Sequence, residues 1–323
     1  MKRIRISDFI NPEDNFFTLP FDLNRDGRSG DALKTQNPEG RSGDALKTQN
    51  PKGRSGGSIS ENLNLCMKSD KARWGMTLCK AGSMRFRWNE TNPNRENNFS
   101  KILPDKTHIV VPLQLDHTKI VYDIKTSEDT KEKIGDGIIT KNPLLVPTIT
   151  IADCMPIFLY DPITEVFGIV HSGWKGTGIV SEAIKLAERN YGARAEDFLV
   201  VLGPHIHDCC YIVNKERADY FAQNFTPECI EPLELDSLSK EGADGKKLPA
   251  FVWNNGNGPL FRLSLEKANL SALKECGVND SNITVCEDCT ACTKGNIFGS
   301  NRRETAAKGK ENFTVMAGFV IKE

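Results

Sequence analysis

The sequence predicts a single α/β domain, with α+β as the alternative, in which helices cover a mixed sheet. Two observations carry this reading. From Lys101 onward, short apolar β-branched runs alternate with longer amphipathic ones, each bounded by turn residues. The chain also has 323 residues, 38% of them hydrophobic and 26% charged, a globular composition large enough to bury a core without disulfide staples.

In chain order, residues 1–26 begin the domain. Their basic opening runs into Asp8, Pro12, Glu13 and Asp14, where a signal peptide needs an unbroken apolar stretch, so export by that route is not expected. No window approaches the ~20 apolar residues of a spanning helix. The expected location is the cytoplasm, where the ten cysteines serve as thiols or metal ligands rather than disulfides. Residues 27–57 read as an insertion: 27–39 is GRSGDALKTQNPE, 40–52 is GRSGDALKTQNPK, and a third copy starts at Gly53. A unit of Gly, Ser, Asn, Pro and charge, with only Ala and Leu to bury, cannot stack into a core of its own, and a surface insertion is expected. Residues 58–323 form the remainder of the domain.

Within that remainder, strands are predicted over 107–113, 119–122, 145–151, 157–160, 166–170 and 198–202. Amphipathic helices are predicted over 179–191, 215–224 and 263–275, the first with apolar positions at 179, 180, 184, 187 and 191. The polar, Gly-containing stretch 236–248 reads as a second surface loop. With 42 basic against 43 acidic residues the formal net charge is −1, so no global field draws the chain to nucleic acid or anionic lipid, and a small-molecule partner is expected. Oligomeric state is not legible.

The candidate chemistry centres on scarce residues. Of five histidines, His117 follows Gln114-Leu115-Asp116 at a polar break between strands. His171 closes the apolar run before Ser172-Gly173-Trp174-Lys175-Gly176-Thr177-Gly178, and Cys154 lies between two apolar runs beside Pro156. Strand ends of this kind carry function in α/β folds. A Cys and two His that meet support two chemistries: a zinc site with an open fourth position, or a Cys154 nucleophile with His171 as its base. The second would suit a Cys–His amidase or deamidase acting on peptide or cell-wall material. A non-catalytic, zinc-stabilised partner protein is a third class. His108, inside an apolar run, reads as structural.

The runs Asp136-Gly137-Ile138-Ile139-Thr140, Ile151-Ala152-Asp153-Cys154-Met155-Pro156, Val170-His171-Ser172-Gly173-Trp174-Lys175-Gly176-Thr177 and Gly203-Pro204-His205-Ile206-His207-Asp208-Cys209-Cys210-Tyr211 resemble the laccase-domain family. That family, once called multicopper polyphenol oxidoreductase, is regarded as purine nucleoside phosphorylase with adenosine deaminase activity. The resemblance spans 19–320 apart from the repeats. It implies one Zn2+ held by His117, Cys154 and His171, with His117 matched to a motif that is one residue longer here. It further implies inorganic phosphate as co-substrate and adenosine, inosine, guanosine and methylthioadenosine as candidate nucleosides. Phosphate would attack the ribose C1′ and expel the base, and water would displace ammonia at adenine C6. Asn64 and Arg95 match residues that hold substrate, and Lys175 and Arg302 would add charge for phosphate. Near the C-terminus, Cys289-Thr290 and Ser300-Asn301-Arg302-Arg303 resemble a further family segment, with Asn301 in place of Tyr. One Cys and five His cannot furnish the several copper centres of a true laccase.

Other motifs have plainer readings. Cys286-x-x-Cys289-x-x-Cys292 has metal-site spacing, yet no fourth Cys or His follows it. His205 and His207 are expected to face solvent on a Gly-Pro loop. Gly173, Gly176 and Gly178 serve either an anion site or a tight turn. Trp174 is expected to pack beneath the pocket rather than stack on a base.

Overall fold

The computed structural model describes residues 1–21, 34–35, 72–233, 258–308 and 312–322. In chain order the described strands are β1 (Lys2–Ile4), β2 (Phe16–Pro20), β3 (Lys34–Thr35), β4 (Ala72–Thr77), β5 (Ile109–Pro112), β6 (Val121–Ile124), β7 (Gly137–Thr140) and β8 (Leu145–Ile151). They continue with β9 (Met155–Tyr160), β10 (Phe167–Ser172), β11 (Leu199–Leu202), β12 (Ile212–Asn214), β13 (Ile230–Leu233), β14 (Leu260–Leu263), β15 (Ile283–Cys286) and β16 (Met316–Lys322). The helices are α1 (Pro93–Ile102), α2 (Ile179–Tyr191), α3 (Lys215–Asn224), α4 (Leu265–Cys276) and α5 (Asn301–Lys308).

The α/β class holds, but the mixed sheet is divided. A 7-stranded sheet runs β1-β15-β11-β9-β10-β7-β6, a 6-stranded sheet runs β3-β2-β4-β16-β8-β5, and a 3-stranded sheet runs β12-β14-β13. The reason is visible in β9, whose six residues are all buried. A strand covered on both faces shows no polar alternation, and its alternate side chains feed two different cores. Ile157 and Leu159 pack with Ala183, Ile184 and Ala187 of α2 and with Ala268 and Leu273 of α4. Phe158 and Tyr160 face the other way, against Phe17, Trp74, Met76, Ile149 and Val320 of the 6-stranded sheet. The outer face of that second sheet is covered by α1, whose Phe99 and Ile102 pack on Val146, Ala317 and Phe319. The layers are therefore helix, sheet, sheet, helix.

Predicted bounds at 145–151, 179–191 and 215–224 agree with β8, α2 and α3. Helix α1 lies in a stretch legible only as polar; Asn92 caps it by accepting the Arg95 N–H at 3.2 Å, and Pro93 opens it. Within the predicted insertion, Lys34–Thr35 pairs with Phe17 and Thr18 as an edge strand. The remaining repeat residues, and the loop predicted at 236–248, lie outside the described residues. Among the described residues no helix is long and apolar enough to cross a membrane.

The seam between the two large sheets holds one of these cores. Phe158 is fully buried, with its ring centroid 4.9 Å from that of Trp74. Phe158→Ala should therefore cost about 3–5 kcal/mol in equilibrium urea unfolding. Ile163→Ala, at a side chain 53% exposed, should change stability by no more than about 0.5 kcal/mol.

Candidate metal centre and cleft

Strand pairing decides where the candidate ligands point. In the β9–β10 pair, Phe167 opposes Tyr160, His171 opposes Pro156 and Ser172 opposes Met155. Successive side chains alternate faces, so His171 shares the face of Phe167 and Ile169, toward the seam. Ser172 points to the helices, where its Oγ donates to Asn269 Oδ1 in α4 at 2.9 Å. The same alternation puts Cys154 on the face of Phe158, and it packs partly buried against the inter-sheet core. Continued by one step, the register sets Gly173 against Cys154. A Cβ added to Gly173 would lie 2.8 Å from Cys154 Sγ and 3.3 Å from His171 Cε1, so the missing side chain is what lets thiol and imidazole meet.

His117 arrives from the loop between β5 and β6 with a left-handed φ of 58°. Such a backbone persists in a non-glycine residue only where neighbours over-determine it. Here the determinant is Asp136, a fully buried residue just before β7. Its Oδ1 accepts the His117 N–H at 2.9 Å and lies 3.2 Å from His171 Nδ1. Its Oδ2 accepts the Thr118 N–H at 2.7 Å and the Thr118 hydroxyl at 3.1 Å. Its carbonyl accepts the His171 N–H at 2.7 Å. One carboxylate thus holds the His171 ring and the His117 backbone, and the two ring centroids lie 5.2 Å apart.

The electrostatics follow from this packing. Burial pushes the Asp136 carboxyl up, yet hydrogen bonds from His171, Thr118 and His117 outweigh it and hold the group below its usual range. Burial pushes His171 down, but the neighbouring Cys154 sulfur and Asp136 more than offset this and bring it up to about 9. His117 is pushed down, first by burial and then by the charge of His171. The ligand atoms of His117, Asp136 and His171 all lie within 4.8 Å of one another. Because Asp136 spends its oxygens on hydrogen bonds, it serves as the anchor that frees the other ring nitrogen of His171 for a cation. Cys154 sets its sulfur against His171 in the cleft that His117 also lines, and sulfur with imidazole is a donor set that suits zinc.

A second buried carboxylate secures the other flank. Asp153, with a φ of 83°, accepts the Thr290 hydroxyl at 2.7 Å and the Arg302 N–H at 2.6 Å, and its carbonyl accepts the Ile206 N–H at 2.9 Å. Around these groups opens a cleft of about 1070 Å³, lined by His117, Cys154 and His171 together with Phe86, Trp174, Tyr211, Arg85, Arg87 and Arg302. The Arg217 guanidinium carbon sits 3.9 Å from the Trp174 ring centroid and its Nη1 donates to the Tyr211 hydroxyl at 3.3 Å, bracing two walls.

The structure brings His117, Cys154, His171 and Arg302 together at this cleft. It does not bring Lys175 or Arg95 to the lining. Lys175 is exposed with Nζ 5.9 Å from the Trp174 centroid, and Arg95 is half-buried with its guanidinium 4.3 Å over Phe86. Asn64 lies outside the described residues. His205 and His207 are not solvent-facing as expected: His205 is 1% exposed, its Nδ1 lies 2.8 Å from the Gly203 carbonyl, and the two rings stack at 4.2 Å. The Gly-rich turn serves close approach. The Gly178 N–H is donated to Asn269, and a Cβ on Gly176 would lie 2.8 Å from the Thr118 carbonyl oxygen. Trp174, expected beneath the pocket, lines it. Sequence reasoning assigned no role to Asp136, although the turn pair Asp136-Gly137 opening a strand marks it, and it overlooked Phe86 and Tyr211.

Two substitutions test the geometry. Gly173→Ala should leave the far-ultraviolet circular dichroism unchanged and weaken Zn2+ affinity at least tenfold in chelator competition; unchanged affinity would mean that Cys154 and His171 share no ligand. Asp136→Asn keeps the shape but forfeits one acceptor, and should weaken the same affinity by about 10–100-fold.

A family model described as multi-copper polyphenol oxidoreductase laccase matches residues 89–318. A purine nucleoside phosphorylase of Clostridium acetobutylicum is 32% identical over 214 residues, 65% of this chain and 76% of that protein. One from Geobacillus stearothermophilus is 29% identical over 177 residues, 54% of this chain and only 57% of its own length. An adenosine deaminase from an unknown prokaryotic organism is 25% identical over 203 residues, 62% of this chain and 69% of that one. The fold is shared with the crystal structure of Bacillus licheniformis hypothetical protein YfiH, with a TM-score of 0.63 at 24% identity over 78% of this chain and 93% of the other. With the matched segment holding His117, Cys154, His171 and both carboxylate anchors, the chain belongs to the multi-copper polyphenol oxidoreductase laccase family.

Proposed function

We propose that the protein is a cytoplasmic, zinc-dependent purine nucleoside phosphorylase that also deaminates adenosine. The observation that carries this reading is the convergence of His117, Cys154 and His171 in one cleft whose walls combine aromatic rings with guanidinium groups. A purine needs flat apolar walls, which Phe86, Trp174 and Tyr211 offer. A phosphate needs fixed donors, and Arg302 is the best placed, held by its N–H to Asp153 and by Nη1 to the Ile212 carbonyl at 3.2 Å. Bound by His117, Cys154 and His171, zinc would supply Lewis-acid polarisation of an oxygen. The protein's own part is to orient these ligands through Asp136, to hold the base between rings and to set phosphate near the ribose C1′. Departure of the base then leaves a ribose 1-phosphate. Arg95 acts on the cleft through Phe86, and Lys175 adds charge near the rim.

A second reading rests on one observation: Asp136, His171 and Cys154 also stand in the order of a carboxylate-oriented base and thiol nucleophile. An amidase built that way has no use for His117, yet Asp136 also fixes the His117 backbone by accepting its N–H at 2.9 Å. A third donor kept in place favours the metal site.

The test is release of free base from adenosine, inosine and guanosine with and without inorganic phosphate. Release should require phosphate, stop on chelation of zinc, and fall below detection in His117→Ala, Cys154→Ala and His171→Ala. Arg302→Ala should lower kcat/KM by roughly ten- to a hundredfold, the loss of one charge-assisted hydrogen bond worth about 1.5–3 kcal/mol. Phosphate-independent or absent base release would overturn the assignment, and rapid alkylation of Cys154 in metal-free active protein would favour the amidase.

A further inference from the structure

Four of the cysteines that the cleft does not use meet at one point. Cys209 and Cys210 lie in the loop that follows β11, and Cys289 and Cys292 in the loop that follows β15. Strands β11 and β15 are parallel neighbours, Val200 paired with Ile283 and Leu202 with Val285, so both loops leave the sheet at the same edge. The pairing continues beyond the strands through a parallel bridge between His205 and Cys289, with the Thr290 N–H donating to the His205 carbonyl at 2.9 Å. All four sulfur atoms lie within 4.8 Å of one another.

The spacing is informative. Cys209 Sγ is 3.8 Å from Cys210 Sγ and 3.7 Å from Cys292 Sγ, and no disulfide joins the nine described cysteines. A tetrahedral zinc with Zn–S bonds of about 2.3 Å has sulfur-to-sulfur edges of about 3.8 Å. Four thiols within 4.8 Å of one another make poor hydrogen bonds with each other, whereas thiolates around a soft cation are fully satisfied. Cys289 Sγ in addition accepts the His207 N–H at 3.4 Å, which stabilises a thiolate sulfur. Cys210 and Cys289 are buried while Cys292 is exposed, leaving the site closed at its base and open to metal entry at its rim.

We propose that Cys209, Cys210, Cys289 and Cys292 bind one Zn2+ in a structural site that shares no ligand with the cleft. The two ligands that Cys289 and Cys292 lack are supplied from upstream, by the adjacent pair at 209 and 210. Cys286 takes no part: it is a fully buried strand residue in the inter-sheet core. The metal would staple two loops that serve the cleft. One carries Ile206 and Tyr211 into its lining, and the other places Thr290 on Asp153, next to Cys154.

Zinc per chain, measured by inductively coupled plasma mass spectrometry on protein purified anaerobically with Zn2+ in the medium, tests this. Wild type should hold two zinc ions, and the Cys209→Ser/Cys292→Ser and His117→Ala/His171→Ala variants one each. Cobalt exchanged into the His117→Ala/His171→Ala variant should show strong thiolate-to-cobalt charge transfer, a readout that requires no mutation in the cluster. Wild type holding one zinc that survives loss of both histidines supports the cluster and sinks the cleft site instead. Zinc content unchanged by the double serine variant, a Cys209–Cys292 disulfide in the metal-free protein, or an iron–sulfur absorption spectrum would each overturn the proposal.

Discussion

The buried carboxylate of Asp136 is the interaction on which the candidate centre depends. It accepts hydrogen bonds from two backbone amides, a hydroxyl and an imidazole, drawn from the β5–β6 loop and from β10. A charge enclosed to this degree is tolerable only when each oxygen is satisfied by several donors, and the donors here belong to the two histidines and their neighbour. Burial of one group therefore fixes the relative position of His117 and His171, which lie on separate elements and have no direct backbone link. The left-handed backbone of His117 is a consequence of the same anchor.

Asp153 does for the sulfur side what Asp136 does for the imidazole side. Through Thr290, Arg302 and Ile206 it ties the residue before Cys154 to the β15 loop, to α5 and to the β11 loop. The cleft consequently sits where the seam between the two large sheets opens, with rigid strands β9 and β10 behind it and loops in front. Cys154 and His171 come from strand ends, whereas His117 and the wall residues Phe86, Trp174 and Tyr211 come from loops, and His117 is fixed there by its bond to Asp136.

Much of this was legible in the sequence where a local signal existed. Unbroken apolar runs marked β8 and β9, and the 3.6-residue period marked α2, because each signal is written within one element. The polar break before His117, Pro156 beside Cys154 and the Gly-rich stretch after His171 located the candidate ligands for the same reason. What was not legible is non-local. Division into three sheets depends on which face of a doubly buried strand meets which neighbour, and periodicity says nothing of that. His205, expected at the surface, is buried and His207 is partly buried, because the loops after the parallel strands β11 and β15 pack together there. Helix α1 was hidden because its apolar contribution to the core is only Phe99 and Ile102, supported by the Asn92 cap and by Asn94 and Asn98 bonds to the Ala81 carbonyl, not a long apolar stripe.

The cysteines show the limit most clearly. Spacing grouped Cys286, Cys289 and Cys292, yet successive steps of three residues there cross from strand to loop, so Cys286 enters the inter-sheet core while Cys289, buried, and Cys292, exposed, meet the β11 loop. Their true neighbours lie about eighty positions upstream, delivered by the parallel pairing of β11 with β15. A motif read along the chain assumes continuous local geometry, and that assumption ends where a strand ends. The Cys289–Thr290 step then joins the two halves of the molecule's chemistry: one residue contributes sulfur to the quartet and the next donates to Asp153. Displacement of the quartet would thus be felt one residue away, at the carboxylate that positions Cys154.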